Sequence, residues 1–232
     1  HTMLSPQLLR LDAELNPVGA GALPLRNAFF NPAEVINYGI EPYLRGLATQ
    51  TAQEINSFII DDVRNFLFGE PGGGGFDLAS LNLQRGRDHG LPSYNDVRVA
   101  YGLPAVTSFA EVTSDPVVQQ RLQDAFGTVD DMDLWIVGVS EDHVPGALVG
   151  ETFWTILQDQ FRALRDGDRY WYQSYLPPHL QREIENRNLL TIIRENTDIR
   201  AEISGNVFLV GETRDSGSLR IDLRPAAAIS NG

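Results

Sequence analysis

The sequence predicts a mainly α-helical fold with at most a short β-hairpin, and three features carry that expectation. Helix-start chemistry recurs along the chain, at Asn31-Pro32, Asp77, Ser93, Asp115-Pro116 and Pro177-Pro178. Apolar residues follow these starts at steps of three and four, the helical period. Strand-like patterning is brief: the alternation Leu9-Arg10-Leu11-Asp12 and the short run Val207-Phe208-Leu209-Val210.

Taken in order, Pro6 closes the first segment, because the residue before proline avoids the helical region. The alternation at Leu9–Asp12, followed by Asn16-Pro17 and Gly19 to Gly21, reads as a short hairpin. Asn31-Pro32-Ala33-Glu34 combines an N-cap, a proline and an early acid. A helix is then expected over Gln53–Phe68, with Ile55, Ile59, Val63 and Phe66 on one side. Gly72 to Gly75 lacks the Lys-Ser/Thr ending of a phosphate loop and reads as surface loop. Further helices are expected over 78–87, 94–101, 117–126, 149–165, 178–186 and 189–195. A short strand is expected at Val207–Val210. No feature divides the chain, so residues 1–232 are expected to form one unit.

Composition excludes several functions. A net charge of −13 with no basic run argues against nucleic-acid binding, which needs clustered Lys and Arg. With no cysteine, disulfides, thiolate metal sites and a Cys nucleophile are ruled out. No apolar run reaches the length of a membrane span, and His1-Thr2-Met3-Leu4 has no signal-peptide pattern. Imidazole chemistry within this chain is limited to four histidines: His1, His89, His143 and His179. His143 and His179 stand beside prolines in loop-like surroundings and are expected to be exposed. Asp130, Asp131 and Asp133 lack calcium-loop spacing and read as capping or solvating a helix start. Trp135, Trp154 and Trp171 could relay electrons, but packing is the commoner use of such residues.

The densest polar stretch is Leu81-Asn82-Leu83-Gln84-Arg85-Gly86-Arg87-Asp88-His89-Gly90-Leu91-Pro92-Ser93-Tyr94-Asn95. Helical spacing puts Asn82, Arg85 and Asp88 or His89 on one face. By spacing alone, a solvated, salt-bridged helix is the favoured account. An inward face would require a partner for each polar group, and an anionic ligand would be one.

This stretch resembles the signature of the animal-type haem peroxidases, the peroxidase–cyclooxygenase superfamily. Further matches keep the family's order: Pro24-Leu25 with Phe29-Phe30, Gly39-Ile40-Glu41-Pro42 with Leu44-Arg45-Gly46-Leu47, and Asp133-Leu134-Trp135 with Gly138-Val139-Ser140-Glu141. Gln160-Phe161 with Leu164-Arg165-Asp166-Gly167-Asp168-Arg169 continues the series, and the resemblance extends from residue 1 to about Phe208. His1-Thr2-Met3-Leu4-Ser5-Pro6, followed by Arg10-Leu11-Asp12, is similar to the stretch that begins at the family's proximal histidine. An affinity-tag remnant would account for only the first three of these residues.

The resemblance implies the C-terminal, proximal part of the peroxidase helical fold. It implies His1 as the iron ligand of a b-type haem (iron protoporphyrin). Asn82 is the implied acceptor for the imidazole N–H, and Arg85 the partner of a haem propionate. Arg87, Asp88 and His89 are expected to form a buried or bordering polar network that supports the helix. The family's distal histidine and arginine, calcium loop and ester-forming acids precede the proximal histidine. No catalytic residue is therefore assignable here, and an upstream segment or chain is implied. The implied activity is peroxide-dependent oxidation of a halide, phenol or similar small donor in an exported, extracellular protein. The missing cysteines depart from the disulfide-bonded animal enzymes and lean toward a microbial relative. Two alternatives stand beside this: a fatty-acid dioxygenase or cyclooxygenase of the same superfamily, and a non-catalytic adhesion or matrix module.

Overall fold

The computed structural model describes residues 1–66, 77–203 and 205–210. Within them the fold is mainly helical, with one two-stranded sheet. β1 (Gln7–Leu8) pairs antiparallel with β2 (Leu23–Pro24). Helices α1 (Leu25–Ala28), α2 (Ala33–Tyr38), α3 (Glu41–Thr49) and α4 (Asp61–Arg64) follow. The central helices are α5 (Leu78–Asp88), α6 (Tyr94–Ala100), α7 (Pro116–Phe126) and α8 (Leu134–Gly138). The long α9 (Glu151–Gly167) then leads to α10 (Tyr172–Tyr175), α11 (Pro178–Glu185) and α12 (Leu189–Asn196).

Local capping chemistry sets several of these boundaries. The Asp77 carboxylate accepts from the N–H groups of Ala79 and Ser80 at the start of α5, and Asp115 does the same for Val117 and Val118 in α7. Ser93 accepts from Asp96 N. Asn188 and Thr191 form a reciprocal capping box on α12. Each satisfies donors that the first helical turn leaves without partners.

Four expectations need correction. The hairpin forms, but its paired strands lie one step outside Leu9–Asp12, which keeps a single bridge between Leu11 and Pro17. The buried Arg10 side chain takes the place of a longer strand. It donates to the carbonyls of Ala20 (2.8 Å) and Gly21 (2.7 Å) and to Glu34 (3.0 Å). The helix expected over Gln53–Phe68 is reduced to Asp61–Arg64, with Leu67 and Phe68 outside the described residues. Its backbone groups are used elsewhere. Gln53 N donates to Met3 O at 3.0 Å, Ile55 O accepts from His143 Nε2 at 2.8 Å, and Asn56 captures Phe58 N in an Asx turn. A side chain that offers the backbone such an alternative competes with helix formation. Val207–Val210 is a turn rather than a strand, with Asn206 accepting from Phe208 N through its side chain and from Leu209 N through its carbonyl. His143 is half-buried by its bond to Ile55, and His179 lies exposed in the first turn of α11. The Gly72–Gly75 run lies outside the described residues.

The main core joins α6, α7 and α8 through Tyr94, Val118, Leu122, Met132 and Val137. A second cluster packs Leu190, Ile193, Ile199 and Ile203 against Leu44 and Ala48 of α3, joining α12 and the residues after it to α3. Arg45 and Glu202 reinforce that junction at 3.0 Å. Burial works against the Glu202 carboxylate, but backbone N–H bonds and Arg45 outweigh it and hold its pKa below the usual range. A depressed carboxylate stabilises the fold above its unfolded-chain pKa and loses that contribution as pH falls through the lower folded value.

Beneath the central helices lies a buried ionic knot. Glu141 accepts from the Tyr94 hydroxyl and the Thr152 hydroxyl, from Thr152 N at 2.9 Å and from Arg98 at 3.4 Å. Arg98 also donates to Pro104 O (2.8 Å), the Thr152 hydroxyl (2.9 Å) and Glu151 (2.9 Å). Burial and the neighbouring carboxylate push the Tyr94 phenol well above its ordinary pKa, so it stays an O–H donor. Gly150 lets the chain pass this knot, since a Cβ there would collide with the Glu141 side chain.

Candidate functional site: a cleft between two helices

α5 and α8 face each other across an open cleft of about 460 Å³, lined by Asn82, Leu83, Arg85, His89 and Leu91 on one side and Leu134 and Trp135 on the other. Asn82 and Arg85 reach it because they stand three residues apart on the same face of α5. Gly90, in the left-handed region at φ 65°, turns the chain after α5 so that Leu91 and Pro92 close one end.

Asn82 is half-buried. Its Nδ2 donates to Leu78 O at 2.9 Å, which directs Oδ1 away from the helix as an acceptor. Among the described residues, Arg85 makes no ion pair. Its side chain is exposed and lines the cleft.

His1 is exposed, and its ring centroid lies 5.4 Å from that of Trp135, with the rings tilted by 51°. Of the three residues expected at the site, Asn82 and Arg85 line the cleft, whereas His1 is not among its lining residues and touches it only through Trp135, with no hydrogen bond to Asn82 among the described residues.

The neighbouring charges lie exposed, the bordering rather than the buried one of the two arrangements expected. Arg87 is exposed and grips Asp133, Nε at 3.2 Å from both carboxylate oxygens and Nη2 at 2.6 Å from Oδ2. Asp88 accepts from Gln84 at 2.7 Å. His89 caps the end of α5 and is exposed. The network borders the cleft and is not buried. Asp133 sits just ahead of α8, so its pairing with Arg87 ties the two walls together. Asp130 and Asp131 lie exposed in a 3₁₀ turn, and no cluster of three metal-ligating side chains occurs among the described residues. Trp154 and Trp171 do not line the cleft. The Trp135 contact with His1 and the Arg87–Asp133 clamp are the features that sequence reasoning missed. The Asp-x-Trp spacing was visible, but nothing local connected it to either α5 or His1.

Residues 1–208 match the animal haem peroxidase family, and the chain belongs to it. Peroxinectin A of Dictyostelium discoideum is 44% identical over 186 residues, 80% of this chain and 35% of that protein. The solved structure of peroxidase A from Dictyostelium discoideum superposes with a TM-score of 0.81 at 40% identity, covering 89% of this chain and 40% of that one. The Oryza sativa fatty acid alpha-dioxygenase superposes at 0.76 with 19% identity, a likeness of fold alone. The chain spans well under half the length of these relatives. No helix among the described residues is long and apolar enough to cross a membrane.

Proposed function

We propose that this chain forms the proximal, haem-holding side of a peroxide-dependent oxidoreductase. One observation carries the reading: the Arg85 side chain, the Asn82 amide and the indole that contacts His1 line one cleft. Those groups fit a b-type haem. Arg85 would pair with a propionate in the oriented geometry that guanidinium and carboxylate favour. Leu83, Leu91 and Leu134 offer apolar surface to the macrocycle. His1 would hold the iron through one imidazole nitrogen, and Asn82 Oδ1 would accept the proton on the other. The bound haem would supply the redox chemistry, taking oxidising equivalents from hydrogen peroxide and passing them to a halide, phenol or other small donor. The distal acid–base groups belong, on this reading, to an upstream segment of the same protein. Packing of α12 against α3, with the Arg45–Glu202 pair, supports treating the whole chain as one portion of a single peroxidase domain.

The test uses the full-length protein, sought in cells and in their medium, where an exported enzyme is expected. A haem absorption band and peroxide-dependent donor oxidation are the expected results. A protein without the band is no peroxidase, and oxygen uptake with a polyunsaturated fatty acid in place of donor oxidation would favour a dioxygenase.

The Asn82 amide makes a milder prediction. A neutral acceptor withdraws the imidazole proton less than a carboxylate would, so the ligand stays close to neutral. Asn82→Asp would make it more anionic and favour ferric iron. The Fe(III)/Fe(II) potential should fall by about 60 mV or more, the equivalent of a tenfold preference for a one-electron couple. Spectroelectrochemistry reads this directly, and an unchanged potential would remove Asn82 from the imidazole.

A further inference from the structure

We propose that Trp135 is a positioning residue that fixes the rotation of the His1 imidazole. The inference rests on the assignment of His1 as a ligand, made above. An imidazole held at one nitrogen by a metal and at the other by a hydrogen bond keeps one soft motion, rotation of the ring about the axis through those two contacts. A bond to a single amide oxygen lies close to that axis. It resists rotation weakly, because the directional preference at such an oxygen is broad. An aromatic neighbour wedged against the ring as a wall does resist it. Trp135 is that wall, its indole inclined at 51° to the imidazole with the ring centroids 5.4 Å apart, within the separation typical of aromatic pairs, roughly 4.5–7 Å.

The wall is itself held at both ends of α8. Ahead of it, Asp133 is clamped to Arg87 of α5, and Tyr94 N donates to Met132 O at 2.8 Å. Behind it, Val137 is fully buried, and Gly138 packs so closely on Phe153 that a Cβ would strike the ring. The clamp matters because α5 also carries Asn82. Indole and amide therefore belong to one rigid frame, and the imidazole meets both at fixed relative positions.

The experiment compares Trp135→Leu and Trp135→Phe in the intact, haem-loaded protein, reading the iron–imidazole stretching band of the ferrous form by resonance Raman scattering. Trp135→Leu should replace a single band by a broadened or split one, reporting more than one ring orientation. Trp135→Phe, which restores an aromatic face, should return the single band. A folded Trp135→Leu protein with the wild-type band would overturn the proposal. Should that variant fail to fold, Asp133→Asn keeps the indole and weakens the clamp. It should broaden the same band, and an unchanged band would again overturn the proposal. Absence of the band from the wild type would remove the ligand assignment and this proposal with it, whereas a band indifferent to Trp135 removes this proposal alone.

Discussion

Replacing His1 by alanine in the intact protein should lower peroxide-dependent turnover by more than about 100-fold, above the roughly 10–100-fold that loss of a supporting partner typically costs at a metal site. On the proposed reading the imidazole is the iron's protein ligand on this face, and Asn82 and Trp135 act only through it. Removing it leaves the Asn82 oxygen and the indole facing a void about the size of the ring. Imidazole added from solution should enter that void and restore part of the activity, since the groups that orient the ring remain in place. An Asn82 variant, by contrast, keeps its ligand and should gain nothing from added imidazole. Turnover of His1→Ala within a few-fold of wild type, or no response to imidazole in a haem-loaded sample, would place the ligand elsewhere.

The second large effect concerns stability. Glu141→Ala should destabilise the fold by about 3–5 kcal/mol, the usual cost of removing one partner from a buried ion pair. Arg98 is only 6% exposed, and the Tyr94 and Thr152 hydroxyls beside it are buried as well. Losing the carboxylate leaves the Tyr94 hydroxyl without its acceptor and the Arg98 charge matched only by Glu151 on the exposed side, beside the neutral acceptors Pro104 O and the Thr152 hydroxyl. By the size scaling of thermal unfolding, the melting temperature should fall by about 6–20 °C. Glu141→Gln should lie between this variant and wild type, because an amide oxygen can still accept from Tyr94 or Thr152 while the charge on Arg98 goes unmatched. A Glu141→Ala protein that melts within about 2 °C of wild type would show that this knot is not held under burial. The knot ties α6 to the turn after α8 and to the start of α9, so its loosening should also reach Trp135.

Features fixed by short stretches of chain could be read in advance. Asp77, Ser93 and Asp115 act on N–H groups two or three residues away, and the helices they start were all expected. Asn82 and Arg85 share a cleft because they share a helix face, which spacing alone dictates. What escaped the sequence depended on distant partners. The chain at Gln53–Ile59 has helical periodicity, yet Met3 and His143 take backbone groups that a helix would have used. Leu9–Asp12 alternates like a strand, but the Arg10 side chain binds carbonyls that a strand would have paired. Arg87 and Asp133 are far apart in sequence, and each has a sufficient local explanation, one as a helix charge and the other as a cap. The contact between His1 and Trp135 had no local signal.

α9 carries an apolar face that the described residues leave uncovered. Trp154, Leu157, Phe161 and Leu164 recur at alternating steps of three and four, and all are exposed, Phe161 to 65%. That spacing aligns them in one stripe, the pattern by which helices zip together. Nothing polar interrupts the stripe, so any attraction through it comes from water leaving apolar surface. Such attraction weakens in the cold. Whatever covers this face in the intact protein is accordingly held less firmly on chilling, whereas contacts made by hydrogen bonds persist.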